Sequence, residues 1–180
     1  IDYTGSSVGF DIDEDLSDKL RSLAKNQNCS LYTVMLSAFY VLMHKYTSQE
    51  DIVIGTPIAN RHHSQIQDLI GFFVNSLALR EQIDGNESIS ELVNRVHNNL
   101  IEAQFHQDLP FERLVRELNV EQDPSRHPIF QVMFGLQSFG SQYNKIFKAE
   151  LDNNDYKIAK FDLSCFIDDS QSKLLGSINY

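Results

Sequence analysis

The six histidines are the most obvious candidates for chemistry in the 180-residue chain, but their spacing does not favour a metal site. His62 and His63 are adjacent, so their side chains diverge in most backbones, and no cysteine or carboxylate completes a ligand set around His97 and His106. The sequence contains no HExxH, GxSxG, P-loop or GxGxxG motif. A Ser-His-Asp triad stays open, because its members need not be close in sequence.

A second candidate is a single amide in an apolar segment. The stretch Phe72–Arg80 alternates in polarity and predicts a strand with Phe73 and Asn75 on one face. An unpaired buried polar group costs about 1–3 kcal/mol, so Asn75 either closes a structural network or binds a ligand amide. The residues alone favour the network. Ser76 belongs to the opposite face, and Gly71 predicts a bend before the strand.

A third candidate, His106–Glu112, is typical of a helix start. We expect Asp108 to cap the helix, Pro110 to lie in its first turn and Phe111 to anchor it in the core. Further along, the polar stretch from residue 122 predicts a turn that leads into a strand. Arg126 in that turn can tie a loop to a carboxylate, which requires no catalytic role.

The elements that must position these segments alternate between helices and strands for most of the chain. This order favours an α/β layered fold with a mixed β-sheet flanked by helices. The second helix is apolar nearly all round, so we expect it to be buried. The polar stretches 58–70 and 138–145 are interpreted as a loop and a bend. The predicted helices are Asp13–Asn28, Ser30–Tyr46, Ser88–Phe105 (after a capping box) and Phe111–Leu118, and the predicted strands are Ser7–Ile12, Asp51–Pro57 (a central strand), Phe72–Arg80, Ile129–Gln137, Phe161–Ile167 and Leu174–Tyr180.

Composition excludes several classes of function. The net charge of −10 argues against nucleic acid or an anionic membrane as the main partner. The longest apolar stretch, Val34–Met43, is too short to span a bilayer. Cys29 and Cys165 are far apart and outside any metal-binding pattern, which favours reduced thiols in a cytoplasmic protein. Because the chain opens with Ile1 and has no signal peptide, we expect it to be a piece of a longer polypeptide.

Taken together and in order, three segments resemble the last three signature motifs of condensation domains from non-ribosomal peptide synthetases. Ile70–Arg80 is similar to [IV]-G-x-F-V-N-T-[QL]-[CA]-x-R, with Ser76 in place of Thr. His106–Glu112 matches [HN]-Q-D-[YV]-P-F-E except at Leu109. The third motif, R-D-x-S-R-N-P-L, is matched at Asp123, Ser125, Arg126 and Pro128 and not at Gln122, His127 and Ile129.

The resemblance runs over almost all of residues 1–180. It implies a lobe of the chloramphenicol-acetyltransferase-like fold, namely the C-terminal lobe of a condensation domain whose N-terminal lobe is absent. In this family the amine of an aminoacyl acceptor attacks a donor thioester and forms an amide. The implied partners are the missing lobe, peptidyl carrier proteins that present phosphopantetheine, and an adjacent adenylation domain, with no cofactor or metal bound by this chain itself.

The resemblance also implies roles for individual residues. Asn75, Phe73, Ser76 and Gln107 are expected to line the tunnel for substrate and phosphopantetheine between the lobes. Arg80 and Arg126 are expected to form ion pairs. The remaining motif residues are expected to fix loop and helix geometry, and these are Gly71, His106, Asp108, Pro110, Phe111, Glu112, Asp123, Ser125 and Pro128.

The family's HHxxxDG motif, whose second histidine is assigned to base or positioning work, is not present in the sequence. His62 and His63 lack Asp-Gly at the required offset and lie in the wrong part of the motif order. We therefore expect no catalytic residue in this chain, an inert isolated lobe, and an exposed apolar patch on the face that a second lobe would cover.

Two other interpretations remain. One is an acyltransferase of the same fold that uses coenzyme A, which His106–Glu112 disfavours. The other is a non-catalytic module that binds carrier proteins. An epimerisation domain shares the fold, but its motifs near these positions differ from Gly71 to Asn75.

Overall fold

A computed structural model describes residues 4–61, 65, 68–121, 123, 125–137 and 159–180. The predicted alternation of helices and strands is confirmed. The predicted bend at 138–145 lies outside the described residues. The elements in chain order are β1 (Ser7–Ile12), α1 (Glu14–Asn26), α2 (Leu31–Thr47), β2 (Asp51–Ile58), β3 (Asn75–Gln82), α3 (Ile89–Phe105), α4 (Phe111–Glu117), β4 (Val132–Gln137), β5 (Leu163–Asp168) and β6 (Leu174–Asn179).

The six strands form one mixed sheet in the order β1-β6-β5-β4-β2-β3. The β2–β4 and β4–β5 pairs are parallel, and the other three pairs are antiparallel. Strand β2 is an interior strand, as predicted, while β3 forms one edge of the sheet. Backbone hydrogen bonds between Ser6 and Tyr180, at 2.7 and 3.0 Å, extend the β1–β6 pairing beyond the strand ends.

The core lies between one face of the sheet and the helices. Phe134 from β4 stacks on Phe39 of α2, with ring centroids 5.2 Å apart, and Leu36 and Tyr40 are fully buried beside them. The prediction of a buried second helix holds for the first part of α2. Its last turn is exposed, since Tyr46 retains 82 % of its accessible surface.

Side-chain caps begin three of the helices. Asp13 accepts a hydrogen bond from the backbone N–H of Leu16 at 2.8 Å, and Ser30 accepts one from Thr33 at 3.1 Å. Ser88 and Glu91 form the predicted capping box. These caps satisfy backbone donors that a helix cannot pair internally.

Some predicted boundaries were wrong. The strand predicted from residue 72 begins at Asn75, so Phe73 is not part of it. The strands predicted from Ile129 and Phe161 begin at Val132 and Leu163. The helix predicted to Asn28 ends at Asn26, because Asn28 adopts a left-handed conformation with φ of 52°.

Aromatic rings cover glycines in the sheet. A Cβ on Gly55 in β2 would lie 2.1 Å from Phe130, and one on Gly135 in β4 would lie 2.6 Å from Phe166. Such distances are impossible for real carbon atoms, so only glycine permits the rings to lie on the strands here. Phe130 thereby fixes the segment before β4 against β2.

Candidate functional site at the start of strand β3

Asn75 connects the start of β3 to the segment between α3 and α4. Its amide nitrogen donates to the carbonyl oxygens of Gln107, at 3.0 Å, and Leu109, at 2.9 Å. Its side-chain oxygen accepts a hydrogen bond from the backbone N–H of Phe111 at 3.2 Å. Both ends of the amide are therefore engaged with the backbone of one loop, which is the geometry of a structural network.

The loop held by Asn75 differs from the prediction in its cap. Pro110, and not Asp108, occupies the N-cap position of α4, and no side chain caps this helix. The Pro110 carbonyl accepts from the N–H groups of Arg113 and Leu114, so the prolyl residue lies one position earlier than expected. Glu112 lies in the first turn, where a carboxylate suits the positive end of the helix dipole.

Phe111 anchors α4 in a partly buried aromatic cluster and not, as predicted, in the main core. Its ring stacks on His127 with centroids 5.1 Å apart and meets the edge of Phe130 at 5.4 Å. His127 lies 4.9 Å from Phe161. Its Nδ1 lies 2.9 Å from the Pro128 carbonyl oxygen, so this nitrogen carries the proton and donates. The second and third motifs therefore meet in one cluster, which His106, at the end of α3, does not join.

The two motif arginines differ. Arg80 forms the predicted ion pair, a bidentate contact with Asp51 on the neighbouring strand at 2.8 and 2.6 Å. This contact holds the pKa of the Asp51 carboxyl below its usual value. The ion pair predicted for Arg126 is not formed with any carboxylate of the described residues.

Arg126 instead closes a turn. Its backbone N–H donates to the Asp123 carbonyl at 3.1 Å, and the Asp123 carboxylate accepts from the N–H and hydroxyl of Ser125 at 2.9 and 2.6 Å. These hydrogen bonds, with a smaller contribution from the charge of Arg126, lower the pKa of Asp123. An aspartate side chain that accepts hydrogen bonds from residues of its own turn is typical of a structural role.

Arg61 positions the segment before β3 and was not among the predicted site residues. Its guanidinium donates to the carbonyls of Leu69, at 2.7 Å, and Gly71, at 3.2 Å, and lies over the Phe73 ring at 4.3 Å from the centroid. A cation over an aromatic face and two carbonyls together fix the loop. Ser76 pairs with Pro57 of β2 on the opposite face of the sheet from Asn75.

Exposed apolar side chains occur in the segment before β3 and at the α3–α4 connection, the two segments that Asn75 joins. Ile70 is fully exposed, Phe72 is 91 % exposed and Phe105 is 81 % exposed. Large apolar side chains exposed in this number are typical of an interaction face. We call this set the apolar rim, and it consists of Leu69, Ile70, Phe72, Val74, Phe105 and Leu109.

A cleft of about 420 Å³ opens beside the rim. It lies where β2 and β4 end and β3 begins, between these strands and the end of α3. Its wall is mainly apolar, with Ile58, Val74 and Leu100 among the lining residues, and Tyr32 of α2 also lines it. The part of this lining that the structure describes contains no histidine and no carboxylate.

The histidines do not form a metal centre in the described part of the chain. Within those residues, no group of three or more His, Cys, Asp or Glu side chains could hold a metal ion. His62 and His63 lie outside the described residues. Cys29 and Cys165 are free thiols, and burial raises the pKa of Cys165 to about 11. No helix among the described residues is long and apolar enough to cross a bilayer.

Comparison with known proteins identifies relatives along the whole chain. A family model described as "Condensation domain" matches residues 2–180. Surfactin synthase subunit 1 of Bacillus subtilis (strain 168) is 43 % identical over 164 residues, which are 90 % of this chain and 5 % of that protein. N-(5-amino-5-carboxypentanoyl)-L-cysteinyl-D-valine synthase of Amycolatopsis lactamdurans is 40 % identical over 179 residues, with 99 % and 5 % coverage.

Solved structures share the fold. A four-domain non-ribosomal peptide synthetase, holo-AB3403 bound to AMP and glycine, superposes with a TM-score of 0.87 at 26 % identity, covering 99 % of this chain and 15 % of that one. The condensation domain of the Monacolin K polyketide synthase MokA gives a TM-score of 0.82 at 19 % identity, covering 98 % and 42 %. The chain spans a small part of its curated relatives and about two fifths of a condensation-domain chain.

Proposed function

The chain belongs to the condensation domain family, and from this we propose that it is the C-terminal lobe of a domain that forms amide bonds in non-ribosomal peptide synthesis. The donor is a thioester on one carrier protein, and the acceptor is an aminoacyl group on another. The partial coverage of a condensation-domain chain supports the assignment to one lobe. The similarity to a four-domain non-ribosomal peptide synthetase bound to AMP and glycine supports an adjacent adenylation domain, and we propose a cytoplasmic location for the parent protein.

The apolar rim is the observation that carries this proposal. A rim of exposed Ile and Phe side chains beside an open cleft is expected where a second lobe completes a tunnel. The rim also contains Ile70, Phe72 and Val74 from the first motif-like segment and Leu109 from the second. Residues of these segments thus form part of the surface that a partner would cover.

In this proposal the chain contributes placement and shape rather than acid–base chemistry. Attack of an amine on a thioester requires both groups to be held close together and the amine to be neutral. Asn75 positions the loop containing Gln107, and Arg61 positions Phe73, so that the tunnel wall is preformed. Phosphopantetheine is then the arm of a partner carrier protein and not a resident cofactor of this chain.

We further propose that the chain is inert by itself. Its sequence has no HHxxxDG motif, so the histidine that assists the amine would come from the second lobe. No residue of this chain is assigned a catalytic role.

The test measures amide formation by mass spectrometry with full-length synthetase and two loaded carrier proteins, and in parallel with the 180-residue chain alone. We expect product from the first and none from the second. Product from the chain alone would overturn the proposed inertness. Consumption only of coenzyme A thioesters by the full-length protein would replace the peptide-forming function with acyl transfer from coenzyme A.

Replacement of the rim residue Phe72 by Ser, in the full-length protein, tests the interface itself. We expect at least a tenfold loss of amide formation, because a polar side chain in a lobe interface weakens closure of the tunnel. Tyr46→Ser serves as the control, since Tyr46 is comparably exposed but belongs to the end of α2. Equal activity of both variants would contradict the interface role of the rim.

A further inference from the structure

The wall of the cleft contains a polar group without a partner. Tyr32 lines the cleft, and its hydroxyl is shielded from water and forms no hydrogen bond with any residue that the structure describes. Burial raises the pKa of Tyr32 to about 12, and a weak interaction with the Thr56 side chain, which falls short of a formed hydrogen bond, opposes this shift. The phenol therefore keeps its proton at neutral pH and can donate to an acceptor that reaches it.

Another tyrosine of the same helix shows that the fold can satisfy such a group. Tyr40 is fully buried, and its hydroxyl donates to the carbonyl oxygen of Leu79 at 2.8 Å. A buried hydroxyl without a partner loses stability relative to one that is paired. The two tyrosines of α2 thus differ in their hydroxyl groups. The hydroxyl of Tyr40 has a hydrogen-bond partner within the fold, whereas that of Tyr32 has none among the described residues.

The position of the cleft favours a ligand as the missing partner. It lies at the carboxyl ends of the parallel strands β2 and β4, which is where open α/β sheets bind ligands. Its volume of about 420 Å³ is within the range of small-molecule sites. Gln104 and Gln137, both exposed, are the polar lining residues at the mouth of the cleft nearest the ends of α3 and β4.

We propose that this cleft is a side-chain pocket, in which Tyr32 donates a hydrogen bond to an acceptor atom at the end of an otherwise apolar acyl or aminoacyl group. The proposal rests on the proposed function, which supplies a tethered acyl substrate. The apolar wall of Ile58, Val74 and Leu100 contacts the stem of the group. The hydroxyl of Tyr32 then favours a substrate side chain that ends in a carbonyl group over one that is apolar throughout.

The test uses two pantetheine conjugates of similar size, in which glutamine or methionine is joined through a stable amide. Their dissociation constants are measured by calorimetry on the full-length polypeptide and on its Tyr32→Phe and Tyr40→Phe variants. We expect Tyr32→Phe to weaken the glutaminyl conjugate by about tenfold relative to the methionyl one. Tyr40→Phe is expected to leave this ratio unchanged.

Thermal denaturation without conjugate provides an independent reading. Tyr32→Phe removes an unpaired hydroxyl and is expected to raise the melting temperature, whereas Tyr40→Phe leaves the Leu79 carbonyl unpaired and is expected to lower it. A glutaminyl-to-methionyl ratio that Tyr32→Phe leaves unchanged overturns the pocket, and so does failure of both conjugates to bind the wild-type protein.

Amide formation measured alongside separates the two proposals. Product formation combined with an unchanged binding ratio rejects the pocket and keeps the function. Tyr32-dependent binding without product, in the presence of loaded carrier proteins, rejects the function and keeps the pocket.

Discussion

The side-chain oxygen of Asn75 accepts a hydrogen bond from the backbone N–H of Phe111 at 3.2 Å. This bond joins the first residue of a sheet edge to the first residue of α4. Together with the two bonds from the amide nitrogen, it engages both polar ends of the Asn75 side chain with the backbone of the α3–α4 segment. The motif asparagine therefore acts on its neighbourhood by fixing where the α3–α4 segment lies.

Asn75→Ala is expected to reduce the free energy of unfolding by about 1–2 kcal/mol, because two carbonyls and one N–H lose their partner and recover only part of this from water. Urea denaturation followed by circular dichroism measures the change. Ser76→Ala is the matched control on the opposite face and is expected to be nearly neutral. A stability equal to that of the wild type would show that the network is not held by Asn75.

Gly55→Ala is expected to destabilise the fold by about 1–3 kcal/mol, because its Cβ would overlap Phe130. Gly85→Ala is the control, since a Cβ there has no neighbouring atom within 4 Å. In a Phe130→Ala background the cost of Gly55→Ala should fall close to zero. An undiminished cost in that background would place its cause elsewhere than in the ring.

Ile129 is a β-branched residue with φ of 71°, in a tight turn where the N–H of Phe130 donates to the Pro128 carbonyl at 2.9 Å. Positive φ is unfavourable for residues with a Cβ. Ile129→Gly is therefore expected to be more stable than Ile129→Ala by about 1–2 kcal/mol, although both remove the same side-chain contacts. Chemical denaturation of the pair decides this, and equal stabilities would argue that the turn relaxes in the variants.

Glu81 provides a pH-dependent prediction. Its carboxyl is 3 % exposed, and burial raises its pKa above the ordinary value of 4.5, although Asn99, at 2.6 Å, and Arg95 oppose the shift. A raised folded-state pKa means that the folded protein holds the proton more tightly than the unfolded chain. The stability that this group contributes is therefore complete below pH 4.5 and is lost as the pH rises through its folded-state pKa.

Glu81→Gln removes this titration while retaining an oxygen that can accept from Asn99. The stability of the variant minus that of the wild type is thus expected to increase between pH 4 and pH 7. Urea denaturation at both pH values measures the two differences. A decrease over the same range would mean that the ion pair with Arg95 outweighs the cost of burying the carboxylate.

Ile70→Thr combined with Phe72→Ser is expected to lower the fluorescence of a bound hydrophobic dye such as ANS severalfold, with little change in the unfolding midpoint, because both side chains are already exposed. Tyr46→Ser is expected to leave dye binding unchanged. Dye binding that persists in the double variant would locate the main exposed apolar surface outside the apolar rim.

Much of the fold follows from local patterns. The strand at Asp51–Pro57 and the helix that a capping box opens at Ser88 were predicted from neighbouring residues alone, and both were confirmed. The cap of α4 was predicted wrongly, because Asp108 has a favoured side chain for that position but the chain enters the helix through Pro110. The backbone entry angle is set by the Asn75 network, which no local pattern shows.

Contacts between residues that are far apart in the chain could not be predicted from the sequence either. Arg21 of α1 fastens the β5–β6 turn through Asp169 at 2.7 Å and two backbone carbonyls, 148 or more residues away. The role of Arg61 over Phe73 and the lone hydroxyl of Tyr32 also depend on folding, because only the packed structure brings their surroundings together. Arg61 lies three residues after the end of β2, a position that by itself gives little sign of this role.

The hydrogen bonds between Ser6 and Tyr180 have a consequence for how the chain is made. Among the six described strands β1 is the first to be synthesised, whereas β6, its partner in the described sheet, is the last of the six. During translation the backbone of β1 therefore stays unpaired, with the apolar side chains of Val8 and Phe10 exposed, until β6 has been produced. Such long-range pairing slows folding, so completion of the sheet should be a late event.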